Sequence, residues 1–557
     1  YRLEKFVRRH RGPAAAAALI FLLLAGGVAG TTAGMLQARR AASAEREAKR
    51  DADTKRTEAE NLLTRAEKGE AEAKSQEARA KEEAAISKAV QEFLLFRLLA
   101  QADPHTQADW LLRDGSEAAD MKRDPTVREL LDRSAAELAP DKIEASVPGQ
   151  PRLQAELLRT VGNTYRGLGD HRRAAEFLER AMELAKARLG ADDLLSLRSL
   201  GNLATIRASE GRAREAVAMQ RHVRDALARR FGPKHFETVT ATHNLAQAHS
   251  AAGDETIAVE LLREAVEATV VSSGSDHPAS LASKCALAGA LLLAGDPKRA
   301  IDLYEQVHAA EVKTMGASHP RALSTLADLA QAYKRAGKSR KAIEIGERVR
   351  DAQIKLLGER HPNVLKTLGG LAQAHDSAGE SRKAIELFRR VLETQTKELG
   401  AEHPDTLTTK GGLASAHSHV GESKQAIELL RPVREAQIRR QGLEHPDTLT
   451  TSSNLALALA ANDQVKEAIA ILEHALETGV RALGEKHPVT TAVTGALASA
   501  YYDAGETKKA LPLYERSLAI HRERYGARHP MTMSAVNNLA AANMQVGNAA
   551  KGTELFE

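Results

Sequence analysis

A unit of 42 residues recurs through most of this chain without a shift in register, and no other feature limits the possible folds as strongly. Most units begin with the dipeptide His-Pro, and His235-Phe236 keeps the same register one unit earlier. The His-Pro pairs start at His277, His319, His361, His403, His445, His487 and His529. A repeat of about 20 to 50 residues is typical of solenoids, in which each unit packs on its neighbours. The sequence therefore predicts an array of stacked units.

Two columns of small residues divide each unit in two. The first column is glycine, which adopts positive φ at little cost and so ends helices; Asp463, after Asn462, is its one departure. Its glycines are Gly169, Gly211, Gly253, Gly295, Gly337, Gly379, Gly421, Gly505 and Gly547. The second column is alanine, at Ala174, Ala216, Ala258, Ala300, Ala342, Ala384, Ala426, Ala468 and Ala510. A methyl side chain allows two helices to approach closely, so the columns predict two tightly packed helices in each unit.

Between these columns, apolar residues recur at intervals of three and four, as at Leu407, Leu413 and Ala416. This spacing is typical of helices rather than strands. Proline suits the first position of a helix because its missing N–H is no loss there, so His-Pro is interpreted as a helix start. Leu399-Gly400 is the matching end of the preceding helix. Each unit is therefore predicted to be a helical hairpin.

The unit also carries a recognisable signature. Leu-Ala is followed three residues later by an aromatic residue at Tyr333 and Tyr501, and then by the glycine and alanine columns. This order resembles the tetratricopeptide repeat. A 42-residue unit with His-Pro-Asp-Thr-Leu, as at His403, resembles the kinesin-light-chain type of that repeat. The resemblance covers residues 151–557 and implies an all-α protein, an α-solenoid of about nine to ten tetratricopeptide hairpins.

An uncharged apolar stretch lies near the start of the chain. Residues 14–36 contain 23 residues without a charge and have arginines on both sides. A helix of this length crosses a hydrocarbon core of about 30 Å, so we predict a transmembrane helix at 14–36 after a basic juxtamembrane segment at 1–13. The alternative is a secretory signal peptide with its apolar region at 14–25. Positive charges on the two sides are nearly equal in number, so charge alone leaves the orientation open.

Gly26, Gly30 and Gly34 lie four residues apart on one face of this predicted helix. Small residues at this spacing allow two helices to pair closely in a membrane, and they are therefore a candidate face for a homodimer. The alternative is that glycine is simply common in membrane helices.

A charged segment separates the apolar stretch from the repeats. Residues 41–85 are almost entirely Ala, Glu, Lys, Arg, Asp and Ser, which predicts a long solvated helix. A sustained apolar heptad is missing, so a strong coiled coil is not expected. We assign residues 37–103 to a helical stalk, 104–150 to a helical connector and 151–557 to the repeat solenoid.

The order of these parts is similar to a particular class of protein. The basic segment at 1–12, the apolar stretch, the charged stalk and the segment Phe93 to Pro104 resemble the region after the catalytic domain of large bacterial transmembrane serine/threonine kinases of eukaryotic type. The resemblance implies a kinase domain before Tyr1, a single-pass location in the bacterial inner membrane and repeats on the extracytoplasmic side. This sequence contains no G-x-G-x-x-G loop, His-Arg-Asp or Asp-Phe-Gly, so no residue is assigned to phosphoryl transfer.

Composition narrows the chemistry further. The net charge of +5 is mild for 557 residues, and the repeats show no basic stripe, so nucleic acid is not an expected partner. Cys285 is the only cysteine, which excludes an intrachain disulfide and a cysteine-based zinc site. The recurrent histidines occur once per unit, too far apart to share a metal ion. We therefore predict no catalytic residues, no metal and no cofactor.

The pattern favours a non-catalytic scaffold or sensor that binds peptide segments of another protein in a concave groove. The alternative is that the chain is the non-catalytic part of a serine/threonine kinase, an enzyme whose catalytic domain lies upstream. Polar residues of the first helices are the groove candidates. They are Asn163, Asn202, Asn244, Gln247, Gln331, Lys334, Gln373, Asp376, Thr408, Thr450, Asn454, Ser499 and Asn538.

Overall fold

The computed structural model describes residues 74, 77, 81, 84–90, 127–140, 142–527 and 529–555. All regular secondary structure in these residues is helical, without a strand. The chain forms two compact units, residues 1–130 and 131–557. Helix α1 (Val127–Ala136) runs across this boundary, and the short helix α2 (Ile143–Ser146) follows it. From Pro151 onward the second unit consists of helical hairpins.

Each hairpin has a first helix of 15 to 17 residues. The first helices are α3 (Pro151–Gly167), α5 (Leu194–Ser209), α7 (Phe236–Ala252), α9 (Pro278–Leu293), α11 (Pro320–Arg335), α13 (Pro362–Ser377), α15 (Pro404–His419), α17 (Pro446–Ala460), α19 (Pro488–Asp503) and α21 (Pro530–Gln545). The second helices are α4 (His171–Leu189), α6 (Ala213–Phe231), α8 (Glu255–Ser273), α10 (Pro297–Met315), α12 (Ser339–Leu357), α14 (Ser381–Leu399), α16 (Ser423–Gln441), α18 (Val465–Ala482), α20 (Thr507–Tyr525) and α22 (Ala549–Glu554).

The histidine of each His-Pro pair is the N-cap of a first helix. In α15, for example, Nδ1 of His403 accepts a hydrogen bond from the backbone N–H of Asp405 at 3.2 Å. The backbone of His403 is extended, and Pro404 occupies the first helical position. An N-cap acceptor satisfies one of the free N–H groups at a helix start, so the imidazole does what serine or aspartate does at other helices.

Glycine ends both helices of the hairpin in two different backbone conformations. Gly253 ends α7 with φ 85° and ψ 16°, the left-handed region, whereas Gly274 ends α8 with φ 95° and ψ 160°. The second conformation is open almost only to glycine because any Cβ would clash. Asp463 stands in the first kind of position with φ 59°, which Asp tolerates. The predicted helix breaks are thus confirmed, including the departure.

The alanine column forms the closest contact within the hairpins. Ala174, Ala216, Ala258, Ala300, Ala384, Ala426, Ala468 and Ala510 are completely buried, and Ala342 is 2% exposed. Larger buried side chains such as Tyr304 and Phe388 fill the space beside them. Apolar clusters therefore lie between the two layers of helices along the array, and the predicted α-solenoid of tetratricopeptide hairpins is confirmed.

Asp132, near the start of the second unit, contacts the first hairpin. Asp132 of α1 accepts a hydrogen bond from the hydroxyl of Tyr165 at 2.8 Å. Inside the array, Tyr333 donates in the same way to Glu305, which lies on the second helix of the preceding unit, at 2.5 Å. Residue Asp132 thus supplies the acceptor that a preceding hairpin would supply.

The solenoid also contacts itself between distant units, along a line that we call the seam. Nε2 of His445 hydrogen-bonds to the carbonyl of Ser209 at 2.6 Å, and Nε2 of His487 to that of Ala251 at 3.2 Å. Both contacts join residues 236 positions apart, between five and six 42-residue units. The seam therefore joins one superhelical turn to the next.

Four consecutive turn glycines mark the seam. A Cβ added to Gly211 would lie 3.2 Å from Pro446, and one added to Gly253 would lie 2.8 Å from Pro488. The remaining two glycines, Gly169 and Gly295, face Pro404 and His529 in the same way. Two arginines add to the contact: Arg524 donates to the carbonyl of Gly253 at 2.7 Å, and Arg214 to that of Leu483 at 3.2 Å.

None of the helices in the described ranges is both long enough and apolar enough to cross a lipid bilayer. This finding corrects the prediction of a single-pass protein of the bacterial inner membrane, which the structure does not support. The predicted transmembrane helix at 14–36 and its face of Gly26, Gly30 and Gly34 lie outside the described residues, as does most of the predicted stalk.

Candidate functional site

The first helices lie on the concave side of the stack. In the described solenoid, first helices of neighbouring units pack on one another, as α11 does on α13, whereas second helices pack mainly on first helices. Shorter spacing between the first helices bends the stack toward them. Side chains that project from the first helices therefore line its concave surface.

A cleft of about 120 Å³ opens on this surface between α11 and α13, with α12 beneath it. Its polar side chains are Ser324, Asp328, Gln331 and Lys334 of α11, Gln353 of α12, and Asn363, Lys366 and Thr367 of α13. Small residues make the room for it. At Gly370 an added Cβ would come within 2.7 Å of the Gln331 side-chain nitrogen, so this glycine allows Gln331 to lie across the cleft.

Some of these polar side chains have no hydrogen-bond or ion-pair partner among the described residues. The side chains of Gln331, Asn363 and Lys366 form no hydrogen bond or ion pair with any described residue. Lys334 differs, because its Nζ donates to Oε1 of Gln373 at 2.5 Å. The cleft therefore offers amide donors and acceptors and an ammonium group to a molecule that enters it.

Burial shifts the ionisation of two residues at this cleft. The pKa of Asp328 is raised, because burial disfavours the carboxylate more than the charge of Lys366 favours it. The pKa of Lys334 is lowered to about 8, first by burial and then by the neighbouring charge of Arg335. Burial destabilises the charged forms of Asp328 and Lys334 in the free protein. A polar group of a bound partner can stabilise these charged forms.

The other groove candidates are spread along the concave surface instead of converging on one cleft. Asp376 accepts hydrogen bonds from Ser381 at 2.6 Å and from His419 at 3.0 Å, so its carboxylate is already engaged. The hydroxyls of Thr408 and Thr450 donate to backbone carbonyls four residues earlier.

The remaining candidates differ in how available they are. Ser499 pairs with the hydroxyl of Tyr514 at 3.1 Å. The side-chain oxygen of Asn163 is buried without a hydrogen-bond partner. Five more are exposed or partly exposed and make no side-chain hydrogen bond to a described residue: Asn202, Asn244, Gln247, Asn454 and Asn538.

Among the residues that sequence reasoning missed at the cleft are Asp328, Asn363 and Lys366. Asn363 and Lys366 lie one turn or less from a helix start, where the next two units hold Asp and Thr. A signal was present in α13, where Lys366 stands at the position that Thr408 and Thr450 occupy in later units. The change from hydroxyl to ammonium distinguishes this unit from its neighbours.

The fold and this surface define a class of protein: a helical repeat scaffold suited to protein–protein interaction. The tetratricopeptide-repeat model matches the chain at residues 153–229, 197–269, 281–355, 322–397, 379–438, 447–523 and 494–557. Because these matches cover more than half of its length, the chain belongs to the tetratricopeptide-repeat family. Folds of this family are generally non-catalytic. No curated protein matches the chain.

Several solved structures are similar to parts of the chain. The nearly identical TPR-like repeats of a kinesin-light-chain protein from Podosopora anserina are 35% identical, covering 37% of this chain and 97% of that one, with a TM-score of 0.33. BtubC from P. vanneervenii is 21% identical over 41% of this chain and 87% of its own, with a TM-score of 0.32. A Rap protein complexed with competence and sporulation factor is 9% identical over 63% and 99%, with a TM-score of 0.40.

The expected tetratricopeptide repeat is confirmed, and its kinesin-light-chain type stays a prediction. The expected layout of a kinase-associated region is not shown by these comparisons, and neither is pairing into a homodimer.

Proposed function

We propose that the concave surface binds an extended segment of another protein, and that the cleft between α11 and α13 is the centre of this binding surface. The observation that carries the proposal is the convergence of Gln331, Asn363 and Lys366 on the cleft without internal partners. Exposed peptide backbone alternates N–H donors and C=O acceptors, and amide side chains can bond to both.

The size of the cleft favours a peptide over a small-molecule ligand. Pockets for small molecules commonly enclose about 300 to 1,000 Å³, whereas this one measures about 120 Å³. That volume accommodates one side chain of a longer ligand. The free amides of Asn202, Asn244 and Asn454 continue the polar surface beyond the cleft along other first helices, as an extended ligand requires.

Charge adds a preference. Lys334, Arg335 and Lys366 lie at or beside the cleft, against the single protonation-prone carboxyl of Asp328. An acidic residue in the ligand would gain a charge-assisted hydrogen bond to Lys366. We therefore expect the bound segment to carry a carboxylate where it enters the cleft.

Selection of peptides from a random display library on the full chain tests this proposal. Selected peptides should be enriched in acidic residues, and the double variant Gln331→Ala, Lys366→Ala should bind them about tenfold more weakly, a loss of about 1.4 kcal/mol. The matched control is Lys424→Ala, Glu428→Ala, which removes two exposed side chains of the second helix α16. Equal affinity of the two double variants for every selected peptide would contradict the proposed site.

The prediction that the repeats belong to a serine/threonine kinase remains a separate proposal. It rests on the resemblance of residues 1–12 and 93–104, which lie outside the described residues, and the sequence of the parent protein before Tyr1 tests it. A kinase glycine-rich loop and catalytic-loop aspartate there would support it.

A further inference from the structure

His445 and His487, the two histidines at the seam, each form hydrogen bonds through both ring nitrogens. Nδ1 of His445 accepts from the backbone N–H of Asp447 at 3.1 Å, and Nδ1 of His487 accepts from that of Val489 at 3.2 Å. Their Nε2 atoms face the carbonyls of Ser209 and Ala251, which can only accept. These partners place the hydrogen of each ring on Nε2.

Protonation is incompatible with this arrangement. A second proton would sit on Nδ1 and would point at the N–H group that now donates to it, so the N-cap would be lost. The added charge would also lie in a contact that buries both rings, since His445 is 9% and His487 8% exposed. Charging a buried group is costly.

The charged groups around His487 add to this cost. Arg524 from α20 and Arg214 from α6 lie close enough to disfavour a cationic ring, while Asp254, at the start of α8, favours one. Glu255, the other nearby carboxylate, is already paired with Arg524. The pKa of His487 is lowered, first by its burial, although the hydrogen bond to Ala251 acts in the opposite direction.

A third histidine lies at the same contact beside His445. Nδ1 of His171 is buried without a hydrogen-bond partner, and the pKa of His171 is lowered, chiefly by burial. A charge on His445 or Arg440 lowers it further, whereas Glu210 and Asp170 raise it. Asp447, at the start of the same helix, places its carboxylate Oδ2 3.7 Å from Nδ1 of His445.

These contacts give the closed seam a definite pH dependence. The closed form binds fewer protons at His171 and His487 than an open form, in which the rings return toward their usual pKa of about 6.5. The closed form of the seam is therefore favoured at a pH above about 6.5. The stabilisation that the two histidines give to the closed form is lost as the pH falls below that pKa.

We propose that the seam is a pH-sensitive clasp, in which the Nε2 contacts of His445 and His487 hold adjacent superhelical turns together, and acidification acts through His487 and His171 to let the turns separate. Contact between turns encloses the concave surface, so separation gives a ligand lateral access to it. This consequence for access rests on the proposed peptide-binding function, whereas the opening itself does not.

Energy transfer between two dyes across the seam tests the clasp. In the full chain with Cys285→Ser, dyes are attached at Arg212→Cys and Glu444→Cys, two exposed residues that flank the contact of Gly211 with Pro446. Lowering the pH from about 7.5 to about 5.5, across the histidine range, should lengthen this distance reversibly. A second pair at Arg340→Cys and Arg382→Cys spans neighbouring units away from the seam and should not change.

Asparagine substitutions separate the clasp from the helix caps. Asparagine keeps an N-cap acceptor but lacks the Nε2 atom that reaches the distant carbonyl. The double variant His445→Asn, His487→Asn should therefore give the long dye distance already at about pH 7.5. Asparagine also has no group that ionises in this range. The matched control is His319→Asn with His361→Asn, which changes caps whose Nε2 atoms make no hydrogen bond to a described residue. This control should keep the short distance and its pH response.

Three results would overturn the clasp. They are a seam distance that stays constant over the pH change, the same behaviour in both asparagine double variants, and a simultaneous change of the control dye pair with loss of the helical circular dichroism signal, which would mean unfolding. Failure of selected peptides to bind, with the seam still opening, would instead count against the proposed function alone.

Discussion

The starts of α17 and α19 can be compared with those of α11 and α13, because the same His-Pro motif lies in two different surroundings. In all four, the imidazole Nδ1 caps the helix at 3.1 to 3.2 Å. Only at α17 and α19 does the opposite ring nitrogen reach a carbonyl of a distant unit. The side chain of His445 is 11% exposed, whereas that of His403, at the start of α15, is 31% exposed.

The histidine of the His-Pro motif therefore has two structural roles, one within its own hairpin and one between superhelical turns. From α7 onward a histidine caps every first helix, and the superhelix uses the remaining ring nitrogen where two turns meet. The open starts at α11 and α13 lie beside the cleft, where Pro320 and Asn363 line the polar surface. The seam and the candidate binding surface thus occupy different units of the same array.

The largest difference in the free energy of unfolding is expected between an ion pair at the seam and an ion pair on the exposed surface. Glu255→Gln weakens the seam pair with Arg524, whose side chain is 16% exposed, and should lower the free energy of unfolding by about 1.5 to 3 kcal/mol, as for hydrogen bonds to charged groups. Glu402→Gln removes the pair with Arg439, in which both side chains are more than half exposed, and should cost no more than about 1 kcal/mol. Urea denaturation measures both.

If both glutamine variants lose the same free energy of unfolding, the Glu255–Arg524 pair is as solvated as the Glu402–Arg439 pair. The proposed difference between the seam and the outer surface would then be wrong. A larger loss at Glu402 would reverse it.

A medium effect is expected for two glycines with nearly the same backbone. Gly253→Ala and Gly379→Ala both place a Cβ at positive φ, 85° and 82°, which costs about 1 to 2 kcal/mol. The Cβ at residue 253 would also approach Pro488 to 2.8 Å, whereas the one at residue 379 meets nothing within 4 Å. Thermal unfolding should therefore show the lower midpoint for Gly253→Ala, and the seam dyes should separate only in that variant.

If both alanine variants unfold at one midpoint and keep the seam distance, the turn at Gly253 does not touch Pro488 in solution. The matched φ values exclude backbone strain as the source of any difference.

The smallest effect is electrostatic and belongs to the open region. The lowered pKa of Lys334, about 8, means that its charged form destabilises the fold fully below that pH. This cost declines as the pH rises from about 8 toward the ordinary lysine value of 10.5. Competitive acetylation followed by mass spectrometry should give a half-point near pH 8 for Lys334. A half-point near that of an ordinary exposed lysine would show that the cleft does not bury this ammonium group.

Much of the local structure could be predicted from the repeat. The helix starts, the glycine breaks with Asp463 as an exception, and the buried alanine column all depend on interactions within about one unit, which recur with the sequence period. The candidate surface was predicted less well. Gln331 and Lys334, two of the predicted groove residues, line the cleft, whereas Asp328, Asn363 and Lys366 were not predicted, because the space between two first helices depends on small residues such as Gly370.

The sequence by itself determined the hairpin, since capping, turn geometry and close packing at alanine act over short distances along the chain. Only the tertiary structure decided which histidines meet another turn. That pairing depends on the rotation from each unit to the next, summed over the 236 residues between Ser209 and His445. A small rotation added more than five times selects the facing residues, and no single unit of the sequence encodes that sum.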